Sequence, residues 1–355
     1  MKILMVLVGE PLFKDPPKDE EFYLYRRSLH DGEFYYFLKH AIVNSDSQMQ
    51  SLLAAGVDLT YGYITNTKNP KRLLKLARQI KRIVREEGVD IVHVMWGNAL
   101  GLTTALASSV PTVLSLCGSD LLGNYNSKLK KTLKGRIAGF LSQFAALFSK
   151  NVITKSQHMK SRLWAPSKNK TFVLPNGINL SKFYTIDKVE ARKKIGWEQN
   201  KPIVIFFYTP GQFVKNEPLA LKTFDKLKEQ LPDCELKILT KIPHEQLVYY
   251  YNAADVMLLV SKHEGSNNSL KEALACNLPI VSTPCGDAPE RLENVKNCYI
   301  SKGWDPEELA GLLLQALKKN ERSNGRDRAQ SISNTEIQKR LVEIYQQLEK
   351  NGLHN

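Results

Sequence analysis

The 355-residue chain lacks two features that would place it in a membrane or outside the cell. It has no apolar run near the roughly 20 residues that a membrane-spanning helix needs. The first apolar run ends at Gly9-Glu10-Pro11, which is too short for a signal peptide and predicts a buried first strand. The five cysteines are odd in number and show no CxxC spacing, which argues against disulfides and zinc. We therefore expect a cytoplasmic protein without a metal site.

The sequence also lacks the common nucleotide-binding motifs. No GxGxxG follows a strand and no GxxxxGK[ST] is present, which disfavours dehydrogenases and P-loop enzymes. The sequence also shows no Ser-His-Asp arrangement of the kind that would indicate a hydrolase. Apolar residues make up 43% of the chain and charged residues 24%, as in a globular protein. A chain of 355 residues is too long for one ordinary hydrophobic core. We therefore expect two domains, residues 1–180 and 181–334, with a final helical segment at 335–355.

Acidic residues are scarce in the first half. Residues 1–185 contain 26 Lys and Arg against 13 Asp and Glu, a net charge of +13, whereas residues 186–355 contain 24 against 23. Solvated helix faces explain any one basic cluster, but an excess across a domain favours an anionic partner. A phosphorylated acceptor or the anionic inner face of the cell membrane would fit. Aromatic residues are not interleaved with the clusters Lys71–Arg85 and Lys128–Arg136, so we expect no nucleic acid.

Short apolar runs alternate with helical patterns along both halves. This alternation predicts an α/β protein with parallel sheets covered on both faces. Residues 9–45, which contain Pro11, Pro16 and Pro17, are predicted to form a long loop. The predicted strands are residues 2–8, 57–63, 90–94, 112–116, 151–154, 171–174, 202–208, 235–239, 256–260, 280–282 and 298–300. The main predicted helices are residues 70–87, 218–230, 243–253, 269–275, 287–294, 305–319 and 335–350.

The strongest chemical pattern follows the predicted strand 256–260. Glu264 is placed beyond the carboxyl end of that strand, where parallel sheets bind ligands. The run Gly265-Ser266-Asn267-Asn268-Ser269-Leu270 then opens a helix whose free N–H groups suit a diphosphate. Glu272 lies far enough along the helix to reach the ribose. The alternative is a capping box at Ser269–Glu272, in which Glu272 merely caps the helix.

This pattern resembles the E-x7-E signature of family 4 glycosyltransferases, which are retaining enzymes of the GT-B fold. The resemblance implies two Rossmann-like, doubly wound parallel-sheet domains that face each other across a cleft. Four further stretches resemble family segments and fall in the family's order: Leu114–Asp120, Leu174–Asn179 with Phe183, Tyr208–Leu221, and Cys285-Gly286-Asp287 with Glu290.

By this resemblance the C-terminal domain binds a nucleoside-diphosphate sugar. Glu264 would contact the donor sugar, Glu272 the ribose, and Lys215 with the Ser269 and Leu270 amides the diphosphate. Relatives usually carry an arginine shortly before this lysine, and here it is absent. Thr209 and Gln212, or Lys155, are candidates to replace it. The nucleotide-binding set is completed by Gly211, Asn176 and Gly177.

The N-terminal domain would bind the acceptor. Asp120 could position an acceptor hydroxyl, although Gly-Ser-Asp is also a common turn. His93 ends a predicted strand, where a histidine is more often packed and hydrogen-bonded than catalytic. Cys117 stands where the family often has a sugar-binding histidine. The final predicted helix resembles the family segment that crosses back to the first domain.

We therefore expect a retaining glycosyltransferase that moves a hexose from a UDP- or GDP-sugar to an acceptor hydroxyl. The acceptor would be a small molecule, a lipid-linked molecule or a saccharide, in polysaccharide, glycolipid or secondary-metabolite glycoside synthesis. The nucleotide sugar is a co-substrate, and no cofactor is expected. The alternatives are a nucleotide-sugar hydrolase or epimerase, and a basic membrane-surface or nucleic-acid-binding protein on a degenerate transferase scaffold.

Overall fold

The structure is a computed structural model that describes residues 1–8, 22–27, 52, 56–64, 70–128 and 130–352. The chain forms two compact units. The first unit comprises Met1–Asn124, Thr132–Gly177 and Ile337–Asn355. The second unit comprises Tyr125–Lys131 and Ile178–Glu336.

The first unit contains a seven-stranded sheet in the order β2-β3-β1-β4-β5-β6-β7. Strand β2 pairs antiparallel with β3, and the other neighbours are parallel. The strands are β1 Lys2–Val8, β2 Phe22–Arg27, β3 Asp58–Ile64, β4 Ile91–Met95, β5 Thr112–Ser115, β6 Asn151–Thr154 and β7 Thr171–Val173.

The second unit contains a five-stranded parallel sheet in the order β12-β11-β10-β8-β9. Strand order reverses sense around β8 and β10, and ligands bind beyond the carboxyl ends of strands at such switch points. The strands are β8 Ile203–Phe207, β9 Glu235–Leu239, β10 Val256–Leu259, β11 Ile280–Ser282 and β12 Tyr299–Ile300.

Helices connect the strands in both units. Those up to residue 168 are α1 Pro70–Glu87, α2 Asn98–Ala107, α3 Ser119–Leu122, α4 Leu133–Phe148, α5 Gln157–Ser161 and α6 Ala165–Lys168. The others are α7 Lys188–Ile195, α8 Glu217–Gln230, α9 Leu247–Ala253, α10 Asn268–Ala275, α11 Ala288–Leu292, α12 Pro306–Lys319, α13 Gly325–Gln330 and α14 Asn334–Gly352. None of these described helices is long and apolar enough to span a bilayer.

Each unit has its own apolar core, as the repeated strand pattern predicts. In the first unit, Leu76, Ile80 and Ile83 of α1 are buried at helical spacing against Val92 and Val94 of β4. In the second unit, β8 and β10 are buried along their length and pack with α8 and α12. The prediction of two α/β domains with parallel sheets is confirmed.

One prediction about the sheets was wrong. Residues 9–45 were expected to form a loop, but residues 22–27 form β2, an antiparallel edge strand. The run Phe22-Tyr23-Leu24-Tyr25 has the aromatic content of a strand, and the nearby prolines and acids obscured that signal. The rest of the predicted loop lies outside the described residues. Every predicted strand is present with its ends shifted by two residues or fewer.

Candidate active site

An ion pair lies beyond the carboxyl ends of β8 and β10 in the second unit. After β8 the chain turns through a short 3₁₀ helix, Phe213–Lys215, which carries Lys215. Glu264 follows β10, and its Oε1 accepts a hydrogen bond from Lys215 Nζ at 2.7 Å. The side chains are 20% and 16% exposed, so both remain accessible from solvent.

The carboxylate of Glu264 is held in its charged form. Its Oε1 also accepts hydrogen bonds from Ser261 Oγ at 2.8 Å and from Asn267 Nδ2 at 3.1 Å. Burial raises the pKa of Glu264, but the charge and hydrogen bond of Lys215 outweigh this, and the net pKa lies below its usual value. These three hydrogen bonds from described residues all go to one carboxylate oxygen of Glu264, Oε1. Its other oxygen, Oε2, therefore retains capacity to accept a ligand hydroxyl.

A glycine turn packs directly behind Glu264. Gly286 has φ +58°, and a Cβ built on it would lie 2.7 Å from Glu264 Cβ, so a larger residue is excluded. The next residue, Asp287, accepts hydrogen bonds from Ser266 Oγ at 2.7 Å and Asn267 N at 3.2 Å. Asp287 therefore holds the loop that carries Glu264. The sequence analysis matched this turn to a family segment but did not predict that role.

Helix α10 does not begin with a capping box. Its N-cap is Asn267, whose side chain accepts the Leu270 N–H at 3.1 Å. Ser269 already lies inside the helix, so the alternative in which Glu272 caps is excluded. The same contact occupies the Leu270 amide that was predicted to bind a diphosphate. An anion here would meet the free end of the helix beside Asn268 and Ser269 instead.

Glu272 belongs to a partly buried hydrogen-bond network. Tyr251 OH donates to its Oε2 at 2.7 Å, and His244 Nε2 lies 3.2 Å from its Oε1. Lys182 Nζ lies 2.7 Å from His244 Nδ1, so Nδ1 accepts that proton and Nε2 donates to Glu272. Burial and then the Glu272 charge raise the pKa of Tyr251 well above its usual value, which keeps it a donor. Phe183 packs against both rings.

Sequence reasoning missed Lys182, His244 and Tyr251. His244 lies in a turn before α9, and it was assigned to the predicted helix 243–253. The Tyr249-Tyr250-Tyr251 run shows no period that singles out Tyr251, which is fully buried. Only Phe183, within a stretch that resembles the family, pointed toward this network.

The ion pair borders a cavity of about 370 Å³. Besides the ion pair and the start of α10, four residues that the sequence analysis named line the cavity: Thr209, Gln212, Ser266 and Asn267. Lys241, which was not predicted, also lines it. Gly211 has φ +90° with open space around its Cα, so it permits the turn of this loop. The cavity thus combines cations, an amide-rich helix start and a carboxylate with open acceptor capacity, which suits an anionic, hydroxyl-rich ligand. Asn176 and Gly177 are not part of its described lining and end the first unit's second segment.

In the first unit, His93 of β4 is fully buried. Its Nδ1 is hydrogen-bonded to Tyr345 OH of α14, and its Nε2 lies 2.8 Å from Ser115 Oγ of β5. Burial, and then the charge of Lys155, lower its pKa to about 3, so the ring is neutral at pH 7. Both ring nitrogens are occupied, which is the packed alternative named for this residue.

Asp120 is also turned inward. Its carboxylate accepts backbone N–H bonds from Gly97 at 2.8 Å, Cys117 at 3.1 Å and Gly118 at 2.7 Å. Burial raises its pKa, although those hydrogen bonds oppose the shift. The side chain joins the loop after β4 to the loop after β5. This geometry favours the turn-forming alternative over contact with an acceptor hydroxyl.

Lys155 follows β6 and is only 3% exposed. Burial lowers its pKa, while the nearby Cys117 and Asp120 act in the opposite direction. Cys117, where the family often has histidine, is a half-buried cysteine, and the pKa of its thiol is raised to about 12 by burial first and by Asp120 second. Lys155 therefore belongs to the polar cluster of the first unit, and it is not among the residues that line the cavity beside Lys215.

Two family descriptions match this chain. Residues 42–182 match "Glycosyltransferase Family 4", and residues 204–319 match "Glycosyl transferases group 1". Together these segments cover most of both units.

Individual relatives are distant. An uncharacterized glycosyltransferase of Methanocaldococcus jannaschii is 23% identical over 76% of this chain and 78% of its own. The N,N'-diacetylbacillosaminyl-diphospho-undecaprenol alpha-1,3-N-acetylgalactosaminyltransferase of Campylobacter jejuni is 23% identical over 87% of this chain and 91% of its own. Among solved structures, Anabaena HepE in complex with UDP aligns with a TM-score of 0.64 at 16% identity, covering 98% of this chain and 100% of that one. The last likeness shows a shared fold.

Proposed function

The chain belongs to family 4 of the glycosyltransferases, of the group 1 type, and we propose that it transfers a hexose from a UDP- or GDP-sugar to an acceptor hydroxyl with retention of configuration. The observation that carries this proposal is the Lys215–Glu264 pair at the edge of the cavity. It sets a cation and a partly open carboxylate beside the start of α10. The likeness to HepE, solved with UDP, is in keeping with a nucleotide donor.

The donor lies on the second unit in this proposal. Lys215 and the start of α10 bind the diphosphate, because a cation and helix N–H groups stabilise developing phosphate charge. Lys241 lines the same cavity and takes the place of the absent arginine. Glu272, with Tyr251 and His244 as fixed donors, accepts from the ribose hydroxyls. Thr209 and Gln212 add hydrogen bonds from the loop after β8.

The chemical step proceeds on one face of the sugar. The bond between the anomeric carbon and the diphosphate oxygen breaks, and the acceptor oxygen forms a new bond to that carbon from the same side. The proton of the acceptor hydroxyl passes to the departing phosphate oxygen, so no protein nucleophile is needed. Glu264 accepts from a sugar hydroxyl and orients the ring. Since Lys215 supplies positive charge, EDTA is expected to leave the rate unchanged.

The first unit binds the acceptor. Its excess of positive charge favours an acceptor with a phosphate or carboxylate group, either free, lipid-linked or on a saccharide. The Campylobacter relative is named for a diphospho-undecaprenol acceptor, which is one example of that chemistry. The enzyme would act in the cytoplasm in the synthesis of a polysaccharide, glycolipid or glycoside.

A thermal-shift panel of UDP- and GDP-sugars tests the donor assignment. A ligand that binds the folded state stabilises it by about 2.7 kcal/mol at a hundred times its Kd, a readily measured rise in Tm. We expect one nucleotide series to raise the Tm, and the rise to disappear in Lys215→Ala. If no nucleotide sugar stabilises the protein, the proposed function is wrong.

Product analysis then separates the alternatives. Consumption of the stabilising sugar nucleotide without an acceptor would indicate a hydrolase, and a new sugar nucleotide would indicate an epimerase. Salt-sensitive binding of nucleic acid without any nucleotide-sugar binding would indicate a degenerate scaffold. Transfer dependent on an added acceptor, with an α-linked product from an α-linked donor, is the expected outcome.

A further inference from the structure

Helix α4 of the first unit is amphipathic in the opposite sense to most surface helices. Its buried positions are small residues: Gly135, Ser142, Ala145 and Ala146. Its large apolar residues recur at helical spacing on the opposite face. We call these the outer stripe, which consists of Leu133, Ile137, Phe140, Phe144 and Phe148 together with the adjacent Trp164. A helix normally buries its large apolar face against the core.

Most of the outer stripe faces solvent. Leu133 is 72% exposed, Phe140 57% and Phe148 56%. The Phe140, Phe144 and Trp164 rings contact one another edge to face at centroid distances of 5.0 to 5.9 Å, so the surface is continuous. Single exposed apolar residues need no explanation, but a contiguous exposed patch marks an interaction surface.

The inner face of α4 explains why the stripe cannot turn inward. A Cβ on Gly135 would lie 2.5 Å from Asn124 N, and one on Gly139 would lie 2.8 Å from Leu121 O. Side chains of any size are therefore excluded where α4 meets residues 121–124. The helix is seated by its small residues, and its large ones are left outside in the folded state.

The charges around the outer stripe identify the kind of partner. Between Asp120 and Asp187 the chain contains twelve Lys and Arg and no Asp or Glu. Lys134 and Arg136 on α4 are exposed, as are Lys150 just after it and Arg162 near Trp164. An apolar face whose charged neighbours along the chain are all cations complements an anionic lipid surface, which presents headgroup charge above acyl chains.

We propose that the outer stripe inserts into the interfacial layer of an anionic membrane, with the flanking cations on the lipid headgroups. Phe and Leu side chains would enter the acyl boundary, while Trp164 would sit at headgroup level, where tryptophan is enriched. This contact needs no membrane-spanning helix. It is independent of the donor site, and it would hold the first unit where a lipid-linked acceptor is presented.

Co-sedimentation of the full chain with lipid vesicles tests the proposal. We expect binding to vesicles that contain phosphatidylglycerol and little binding to pure phosphatidylcholine. Phe140→Ser with Phe148→Ser should lower the partition coefficient at least about tenfold, because each phenyl ring contributes its buried apolar area. The matched control is Ile238→Ser in the second unit, an apolar residue of 40% exposure, which should leave binding unchanged.

Two further measurements keep the result interpretable. The variants should keep the wild-type Tm and donor stabilisation, since the substituted side chains are exposed; this separates loss of membrane binding from failure of the proposed function. Trp164 fluorescence should shift to shorter wavelength on adding anionic vesicles, and Trp164→Phe should remove that shift. The proposal is overturned if the Phe variants bind as wild type, because charge alone would then suffice. It is also overturned if sedimentation velocity shows a dimer that these variants dissociate.

Discussion

Each unit has polar residues at the carboxyl ends of its strands, but the two sets differ in what they can still bind. In the second unit, the hydrogen bonds that Glu264 accepts from described residues go to one oxygen, and the residue borders a cavity. In the first unit, Asp120 accepts from several backbone N–H groups, and both nitrogens of His93 are occupied. The polar residues of the second unit have acceptor capacity left for a ligand, whereas those of the first unit are consumed by hydrogen bonds within the fold.

This difference shows why position in a motif is an incomplete guide to role. Glu264 and Asp120 both follow buried strands in segments that resemble the family. Their hydrogen-bond partners separate them, because a buried carboxylate satisfied by backbone amides stabilises loops rather than ligands. The comparison leads to opposite expectations for mutations in the two units: loss of activity in the second and loss of stability in the first.

The largest effect is expected at Lys215. Lys215→Ala should lower kcat/KM about 10²- to 10³-fold, because the departing diphosphate loses a preorganised cation. Initial rates of transfer, measured with the donor found in the thermal-shift panel, check this. Lys226→Ala on α8 is the control, since that lysine is exposed and pairs with Glu229 and Glu307 at the surface. If Lys215→Ala transferred sugar at the wild-type rate, the expected contrast between loss of activity in the second unit and loss of stability in the first would be wrong.

The second-largest effect is expected at Asp120, on stability. Asp120→Ala should lower the free energy of unfolding by about 3 kcal/mol, since three buried N–H groups lose their acceptor at about 1 kcal/mol each. Urea unfolding measures this. Asp120→Asn, which keeps one accepting oxygen, should lose less. If Asp120→Ala unfolds like wild type but fails to transfer sugar, Asp120 contacts the acceptor after all.

The sequence was a good guide to the elements and a partial guide to the site. Hydrophobic periodicity located the strands because β8 and β10 are buried along their length. It missed β2, an edge strand in a stretch dominated by prolines and charges. In the site, Glu264 and Glu272 could be named because they follow a strand or sit on the helix after it. Lys215 could be named because its segment, which also follows a strand, resembles the family's diphosphate-binding loop.

The remaining contacts could not be predicted from spacing. His244 and Tyr251 meet Glu272 only because the turn before α9 and α9 itself pack against α10. Asn267, rather than Ser269, caps α10, a choice between two residues that both cap well. The saturation of Asp120 depends on Gly97, 23 residues away. Such contacts arise from tertiary packing, which local sequence patterns do not predict.

His93 provides a pH test of whether the polar residues of the first unit are consumed by hydrogen bonds within the fold. Its pKa is about 3 in the folded state against about 6.5 in the unfolded state, so the unfolded chain binds more protons between those values. Stability conferred by neutral His93 is full above pH 6.5 and is lost as pH falls toward 3, at up to about 1.4 kcal/mol per pH unit. His93→Gln, which keeps hydrogen-bonding groups, should remove that slope. Urea unfolding of both proteins between pH 7 and about 4.5 measures the difference. Equal slopes would mean that His93 is hydrated and open.

The smallest effect is expected at Glu272. It tests whether this residue, like Glu264, still has acceptor capacity for a ligand. Glu272→Gln should weaken binding of the nucleoside diphosphate about tenfold, or about 1.4 kcal/mol, because an amide accepts from ribose hydroxyls less strongly than a carboxylate. Glu245→Gln, the same substitution at an exposed carboxylate in the turn before α9, is the matched control. Calorimetric titration should therefore show a weaker Kd for the first variant and a nearly unchanged one for the second. If Glu272→Gln lowers only the Tm and keeps the wild-type Kd, Glu272 is a residue consumed by the fold, as Asp120 is.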